Sequence, residues 1–150
     1  MYLDNNDILV YQRNRFPYLM IDVAEEVIPG KSVKGFKNLT ANDWFFKCHF
    51  PGDPNMPGLL QIEAIVQLSA LAILTLPGNK GKIMYLSKVS KSKFKKKVII
   101  GDRLDLYSEV ISYKRGIAKF KGNAKVNKFK ICEADFELVL PEEVDKFKIK

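Results

Sequence analysis

From Leu59 to Leu76 the chain reads LLQIEAIVQLSALAILTL, a helix-length stretch that is apolar on nearly every face. Pro57-Gly58 precedes it and Pro77-Gly78 follows it, so both ends are punctuated by residues that start or stop helices. At 1.5 Å per residue it would extend about 27 Å. That nearly reaches bilayer-spanning length, but Gln61, Glu63 and Gln67 in its first half argue for a core helix rather than a membrane span. A helix without a polar face has to be surrounded rather than laid on a surface.

The rest of the chain supplies the wrapping. Lys82 to Val89, Lys93 to Ile100, Arg103 to Ser112, Gly116 to Lys125 and Phe129 to Leu140 read as strands. Gly101-Asp102, Lys114-Arg115-Gly116 and Asn127-Lys128 are the expected turns. Upstream, Asp4 to Tyr11 suits a short helix, and Leu19 to Val27 with Ser32 to Leu39 suits a hairpin turning at Pro29-Gly30. Thr40-Ala41-Asn42-Asp43 has the form of a helix start. The aromatic run Trp44-Phe45-Phe46 reads as core packing or as a wall for an apolar substrate. Lys146 to Lys150 reads as a frayed or disordered end. Strands joined by short turns pair antiparallel, so the expected fold is a single α+β domain over residues 1–150, with one long central helix wrapped by five to seven antiparallel strands.

Composition removes several functions. One histidine and two cysteines, Cys48 and Cys132, are too few for a metal cluster or a disulfide framework, and both thiols read as reduced and packed. Met1 to Val10 carries Asp4 and Asp7 and lacks the basic start of a signal peptide, so a cytoplasmic setting and no membrane attachment are expected. The net charge of +8 comes from 21 lysines against 4 arginines. That balance favours acidic protein partners over groove-reading contacts to nucleic acid.

Three residues carry the chemistry. Glu63 falls in the second helical turn, where the helix dipole favours the carboxylate and the apolar neighbours favour its protonated form. Such a carboxyl can donate a proton near neutrality. Gln67, four residues on, lies on the same face and can hold it. His49 lies between Cys48 and Phe50 at the head of a Pro/Gly loop, and a neutral imidazole there is a base. Gly58 opens the helix with a free backbone N–H that can serve a polarised carbonyl oxygen. A base, an acid and an oxyanion donor fit proton removal beside a carbonyl with departure of a hydroxyl from the next carbon, a β-elimination of water. Nucleophilic catalysis has less support: there is no Gly-x-Ser-x-Gly and no second histidine, and on an extended segment Cys48 would point away from His49.

The run His49-Phe50-Pro51-Gly52-Asp53-Pro54-Asn55-Met56-Pro57-Gly58, followed by Glu63-Ala64 and Gln67, resembles the hallmark of the FabZ-type 3-hydroxyacyl-acyl-carrier-protein dehydratases. The resemblance extends from Arg15-Phe16-Pro17 through Lys93-Phe94, Gly101-Asp102 and Lys119-Phe120-Lys121-Gly122 to Cys132-Glu133-Ala134. It implies a hotdog fold and a hydro-lyase of fatty acid biosynthesis acting on (3R)-3-hydroxyacyl-acyl carrier protein. It also implies His49 and Glu63 as the catalytic pair, Gly58 as oxyanion donor, and Gln67, Phe50 and Tyr85 at the substrate, Tyr85 as an aromatic gate. No metal or organic cofactor is implied. The implied partners are an acyl carrier protein with its phosphopantetheine-linked chain and a second copy of the chain, as a homodimer commonly assembled into a trimer of dimers. Lys88, Lys91, Lys93, Lys95, Lys96 and Lys97 are candidates to receive the acidic carrier. Where the family usually reads Pro-His, this chain has Arg13-Asn14. The rival readings are a hotdog thioesterase, a non-catalytic carrier-binding subunit and, more distantly, a basic nucleic-acid-binding module.

Overall fold

A computed structural model describes residues 1–148. The elements in order are α1 (Asn5–Tyr11), β1 (Val23–Ile28), β2 (Ser32–Asn38), α2 (Phe45–Cys48), α3 (Gly58–Leu74), β3 (Tyr85–Phe94), β4 (Arg103–Lys114), β5 (Ile117–Val126), β6 (Phe129–Val139) and α4 (Pro141–Asp145). The six strands form one sheet in the order β1-β2-β4-β5-β6-β3, and every pairing is antiparallel. This is the hotdog arrangement expected from the sequence, with α3 laid across one face.

Local chemistry accounts for most of the boundaries. Asp4 caps α1 reciprocally: its carboxylate accepts the Asp7 N–H at 2.9 Å, and the Asp7 carboxylate accepts the Asp4 N–H at 3.1 Å. The β4–β5 turn uses Arg115 and Gly116 at φ 53° and 82°, and the β5–β6 turn uses Asn127 and Lys128 at 49° and 71°. Paired left-handed residues of this kind match the twist of the strands they join. β1 begins at Val23 rather than Leu19, because the preceding segment bonds elsewhere: Leu19 N–H to Arg15 O, and Met20 N–H to the Gln67 side chain.

Four expectations are corrected. Lys82 to Val89 and Lys93 to Ile100 are not two strands; one strand, β3, runs from Tyr85 and ends at Phe94, ahead of Lys95, Lys96 and Lys97. It lies at the sheet edge beside β6, so chain order and spatial order differ. Two bulges, at Ser87 and Ser90, keep it in register. The Thr40–Asp43 sequence makes a turn, with the Thr40 N–H bonded to Asp43 Oδ2 at 2.9 Å, and α2 starts only at Phe45 without a side-chain cap. Cys132 is buried, which pushes its thiol up to about 11, whereas Cys48 is exposed rather than packed. Cys48 also ends α2 instead of standing on an extended segment, and its Sγ faces the Phe45 carbonyl at 3.6 Å.

α3 is enclosed as its composition requires: from Gln61 to Leu74 every residue except Glu63 is buried. It packs closely because two sheet positions lack side chains. A Cβ on Gly35 would come within 2.8 Å of Leu68 Cδ1, and one on Gly122 would collide with Ile65 Cγ2. Trp44 stays partly exposed, with its Nε1 donating to Pro17 O at 3.2 Å, while Phe45 and Phe46 join the core. At the far end, Lys146 and Lys148 pair with Glu143 and Asp145, so the frayed end expected there is engaged as far as it is described; residues 149 and 150 lie outside the described residues. Among the described residues no helix is long and apolar enough to cross a membrane.

Candidate active site

His49 follows α2 and opens a loop whose backbone is tied at successive points. The His49 N–H donates to Phe45 O, the Asn55 N–H to His49 O, and Phe50 and Asp53 exchange N–H···O bonds, each at 2.9 Å. The Met56 N–H then donates to Val98 O at 2.8 Å, and the buried Gln61 sends its Nε2 to Met56 O at 3.1 Å. The His49 ring is fixed through Nδ1, which is 3.0 Å from Asn55 O. A carbonyl oxygen only accepts, so Nδ1 carries the hydrogen and the neutral ring presents a free lone pair at Nε2. The ring is half-buried and lies 4.0 Å from the exposed Phe50 ring, centroid to centroid.

Glu63 is held from the second turn of α3. Gln67 Nε2 donates to Glu63 Oε1 at 2.8 Å and to Tyr18 O at 2.9 Å, and Gln67 Oε1 accepts the Met20 N–H at 2.7 Å. The backbone carbonyl of Gln67 in turn accepts Gln12 Nε2 at 3.0 Å. Burial raises the Glu63 pKa from its ordinary value, and the Gln67 hydrogen bond, which favours the ionised form, opposes it with the smaller effect. The Tyr18 phenol is raised as well, first by burial and then by the Glu63 charge.

Gly58 is the first residue of α3, and a residue there has no intrahelical acceptor for its N–H. The Phe94 ring stands against it, so that a Cβ on Gly58 would be 2.8 Å from Phe94 Cε1. Within one chain His49 and Glu63 form no hydrogen bond to each other; each is oriented by its own partner.

The remaining candidates disperse. Tyr85 is exposed at the start of β3. Lys88, Lys91 and Lys93 share one sheet face and stand opposite Glu137, Asp135 and Glu133 of β6, and Lys97 Nζ is 2.7 Å from Asp53 Oδ2. Among the described residues Lys95 and Lys96 are the two of the six that neither pair with an acid across the sheet nor form an ion pair. The six lysines therefore do not make one uniform patch. Arg13 and Asn14 take up structural contacts, with Arg13 Nε donating to Gly81 O and Asn14 Nδ2 to Gln12 Oε1, each at 2.9 Å. No group of three or more His, Cys, Asp or Glu comes together among the described residues.

Residues 13–135 match the family model of the FabA-like domain. A 3-hydroxyacyl-acyl-carrier-protein dehydratase FabZ of Clostridium tetani is 46% identical over 134 residues, covering 89% of this chain and 94% of that one. The chain belongs to the FabZ-type dehydratases. A FabZ of Alkaliphilus metalliredigens is 41% identical over 140 residues, covering 93% of this chain and 95% of the relative. Solved structures agree on the fold: the dehydratase heterocomplex ApeI:P of Xenorhabdus doucetiae matches with a TM-score of 0.76 at 13% identity, over 95% of this chain and 97% of that one. A hypothetical thioesterase of Streptococcus pneumoniae, solved with coenzyme A, matches at 0.60 and 15% identity over 77% and 82%.

The sequence pointed to Gln67 as a holder of Glu63, and that hydrogen bond is present. Asn55, Tyr18 and Met20 could not be found in the same way, because each acts through its backbone. Gln61 had a signal, a polar side chain in an apolar helix, and its Nε2 fastens the end of the His49 loop.

Proposed function

We propose that this FabZ-type hydro-lyase dehydrates (3R)-3-hydroxyacyl-acyl carrier protein to the trans-2-enoyl form in fatty acid biosynthesis, with His49 as base and Glu63 as acid. His49 Nε2 takes the C2 proton. The electron pair left behind forms the C2–C3 double bond, and Glu63 delivers its proton to the departing C3 hydroxyl, which leaves as water. The Gly58 N–H donates to the thioester oxygen while charge gathers there. Phe50 lines the site beside His49 and Tyr85 gates it. The observation that carries this reading is a pair of titratable groups oriented for opposite tasks: an imidazole whose free lone pair is fixed by Asn55 O, and a carboxyl whose pKa burial raises and which Gln67 points.

Residues 1–150 act as one domain and need no metal or organic cofactor. The partners are a cytoplasmic acyl carrier protein, delivering its chain on phosphopantetheine past Lys95 and Lys96, and a second copy of the chain. The ten-residue edge strand β3 supports the dimer: it is exposed throughout, carries Leu86, Val89 and Phe94 on the face that continues the core, and has one edge unpaired. Pairing two copies there brings His49 of one to Glu63 of the other, and three such dimers make the complete assembly.

The test is absorbance in the enoyl-thioester band on mixing protein with 3-hydroxyacyl thioester. Wild type is expected to form the enoyl product, and His49→Ala and Glu63→Gln to lose about 10²-fold or more. Release of free acid without an enoyl product would replace this reading with a thioesterase.

A further inference from the structure

Gln61 and Glu63 leave α3 on opposite sides, about 160° apart at 3.6 residues per turn. Gln61 lies one turn before Ile65, which stands against Gly122 of the sheet, and it is only 4% exposed. A glutamine so deep among apolar residues calls for partners on both ends of its amide. Only one end has them: Nε2 donates to Met56 O at 3.1 Å, while among the described residues nothing donates to Oε1. The Met56 carbonyl belongs to the bond to Pro57, a peptide without an N–H, and Gln61 Nε2 is the only donor to it among the described residues. The preceding peptide is held at both ends, with the Met56 N–H donating to the buried Val98 at 2.8 Å and Asn55 O receiving the His49 ring at 3.0 Å. Two adjacent peptide planes thus link Gln61 to the imidazole.

We propose that Gln61 is a positioning residue for the base: by fixing the Met56-Pro57 peptide it holds the Asn55 carbonyl in line with His49 Nδ1, and so keeps the hydrogen there and the lone pair at Nε2. The inference rests on the dehydratase reading for the use made of that lone pair, but not for the tautomer itself. Two planar peptides that meet at one Cα differ only in the two backbone torsions of that residue. Val98 fixes one plane at Met56 and Gln61 fixes the other, so neither torsion is left free. α3 therefore serves both groups, carrying the acid on one side and steering the base from the other. The fold itself gains little from the amide. Gln61→Met, close in volume, removes Oε1 and releases Met56 O, which exchanges one oxygen without a donor for another. What an apolar side chain cannot supply is the hydrogen bond that sets the peptide.

His49 is the chain's only histidine, so long-range proton–nitrogen NMR, recorded where the ring is neutral, reads its tautomer without ambiguity. Wild type is expected to carry the hydrogen on Nδ1, and a hydrogen on Nε2 overturns the inference before any variant is made. Gln61→Met and Gln61→Leu are expected to show a mixture of the two tautomers and to lower kcat on a 3-hydroxyacyl thioester about tenfold, with KM nearly unchanged and melting close to wild type. Ile62→Val, which removes a methyl group from the next helical position and no hydrogen bond, is expected to melt lower while keeping the tautomer and kcat. Variants at position 61 that retain the wild-type tautomer overturn the inference, because a merely structural role moves the melting temperature alone. Failure of both to fold overturns it as well, since the fold would then depend on the amide. A tautomer shifted as expected, beside a wild type that dehydrates no thioester, overturns the dehydratase reading and leaves the hold of Gln61 on His49 standing.

Discussion

Gln67 Nε2 stands 2.8 Å from Glu63 Oε1 and cannot turn away from it. Its other hydrogen is committed to Tyr18 O, and its carbonyl oxygen to the Met20 N–H, so rotating the amide by half a turn would set oxygen against oxygen at two points. The direction of the proposed acid is thus fixed by the backbone between α1 and β1, a segment that carries no ionisable group of the reaction itself.

Removing that hydrogen bond leaves burial to act alone on Glu63. Gln67→Ala is therefore expected to move the alkaline limb of the pH profile of kcat/KM upward while lowering its maximum about tenfold or more through lost orientation. A purely structural role for Gln67 would lower the maximum and leave the limb in place.

The same raised pKa bears on folding. A carboxyl that binds its proton more tightly when folded contributes stability in full below its unfolded pKa, and that contribution is lost as pH rises through the higher folded value. Glu63→Gln, which never ionises, should unfold at nearly the wild-type temperature in acid and at a higher temperature at neutral pH. The gain should stay below about 1 kcal/mol, because the carboxyl is only partly shielded from water. Melting curves across the acid-to-neutral range decide it, and parallel curves would show that burial leaves no net cost on the carboxylate.

His49 is oriented by a carbonyl that any residue at position 55 supplies. Asn55→Ala loses only the side-chain contact to Asp53 O, so kcat/KM should stay within about twofold of wild type, whereas His49→Ala should cost about 10²-fold or more. Steady-state kinetics on one thioester compare the two.

Gly58→Ala would set a methyl group against the Phe94 ring. The expected destabilisation is about 1–3 kcal/mol by overpacking. Adding Phe94→Ala should restore most of it, since alanine is otherwise well suited to a helix. Chemical denaturation of both single variants and the double variant measures the coupling, and strictly additive losses would mean that the ring and the glycine do not meet.

Val89 lies on the core-continuing face of β3, yet it is 39% exposed in the single chain. Val89→Asp should shift the protein to monomer in sedimentation velocity and abolish dehydration. A variant that remained dimeric would place the second copy elsewhere.

Much of this was readable in the residues. α3 announced itself because nothing but burial satisfies a helix without a polar face, and the Asn127-Lys128 and Arg115-Gly116 turns because Asn127 and Gly116 suit left-handed backbone. The path of β3 was hidden. Alternation fails across a lysine run when two bulges each add a residue, and only the bulges sort Lys88, Lys91 and Lys93 to one face and Leu86, Val89 and Phe94 to the other. Tyr18, Met20 and Asn55 were silent because main-chain groups are common to every residue. What leads β3 to the far edge of the sheet is a matter of long-range pairing, which local pattern does not encode.

Gly35 and Gly122 stand on the sheet, yet they set the altitude of α3. A methyl group on Gly122 would press on Ile65, and one on Gly35 would press on Leu68 as well as on the Val23 carbonyl of β1, so either would shift the helix that carries Glu63 and Gln67. Those two residues touch no reacting atom, but together they form the floor from which the acid and its holder are both measured. Substitutions beneath the helix should therefore register as changes in activity as well as in how firmly the protein is folded.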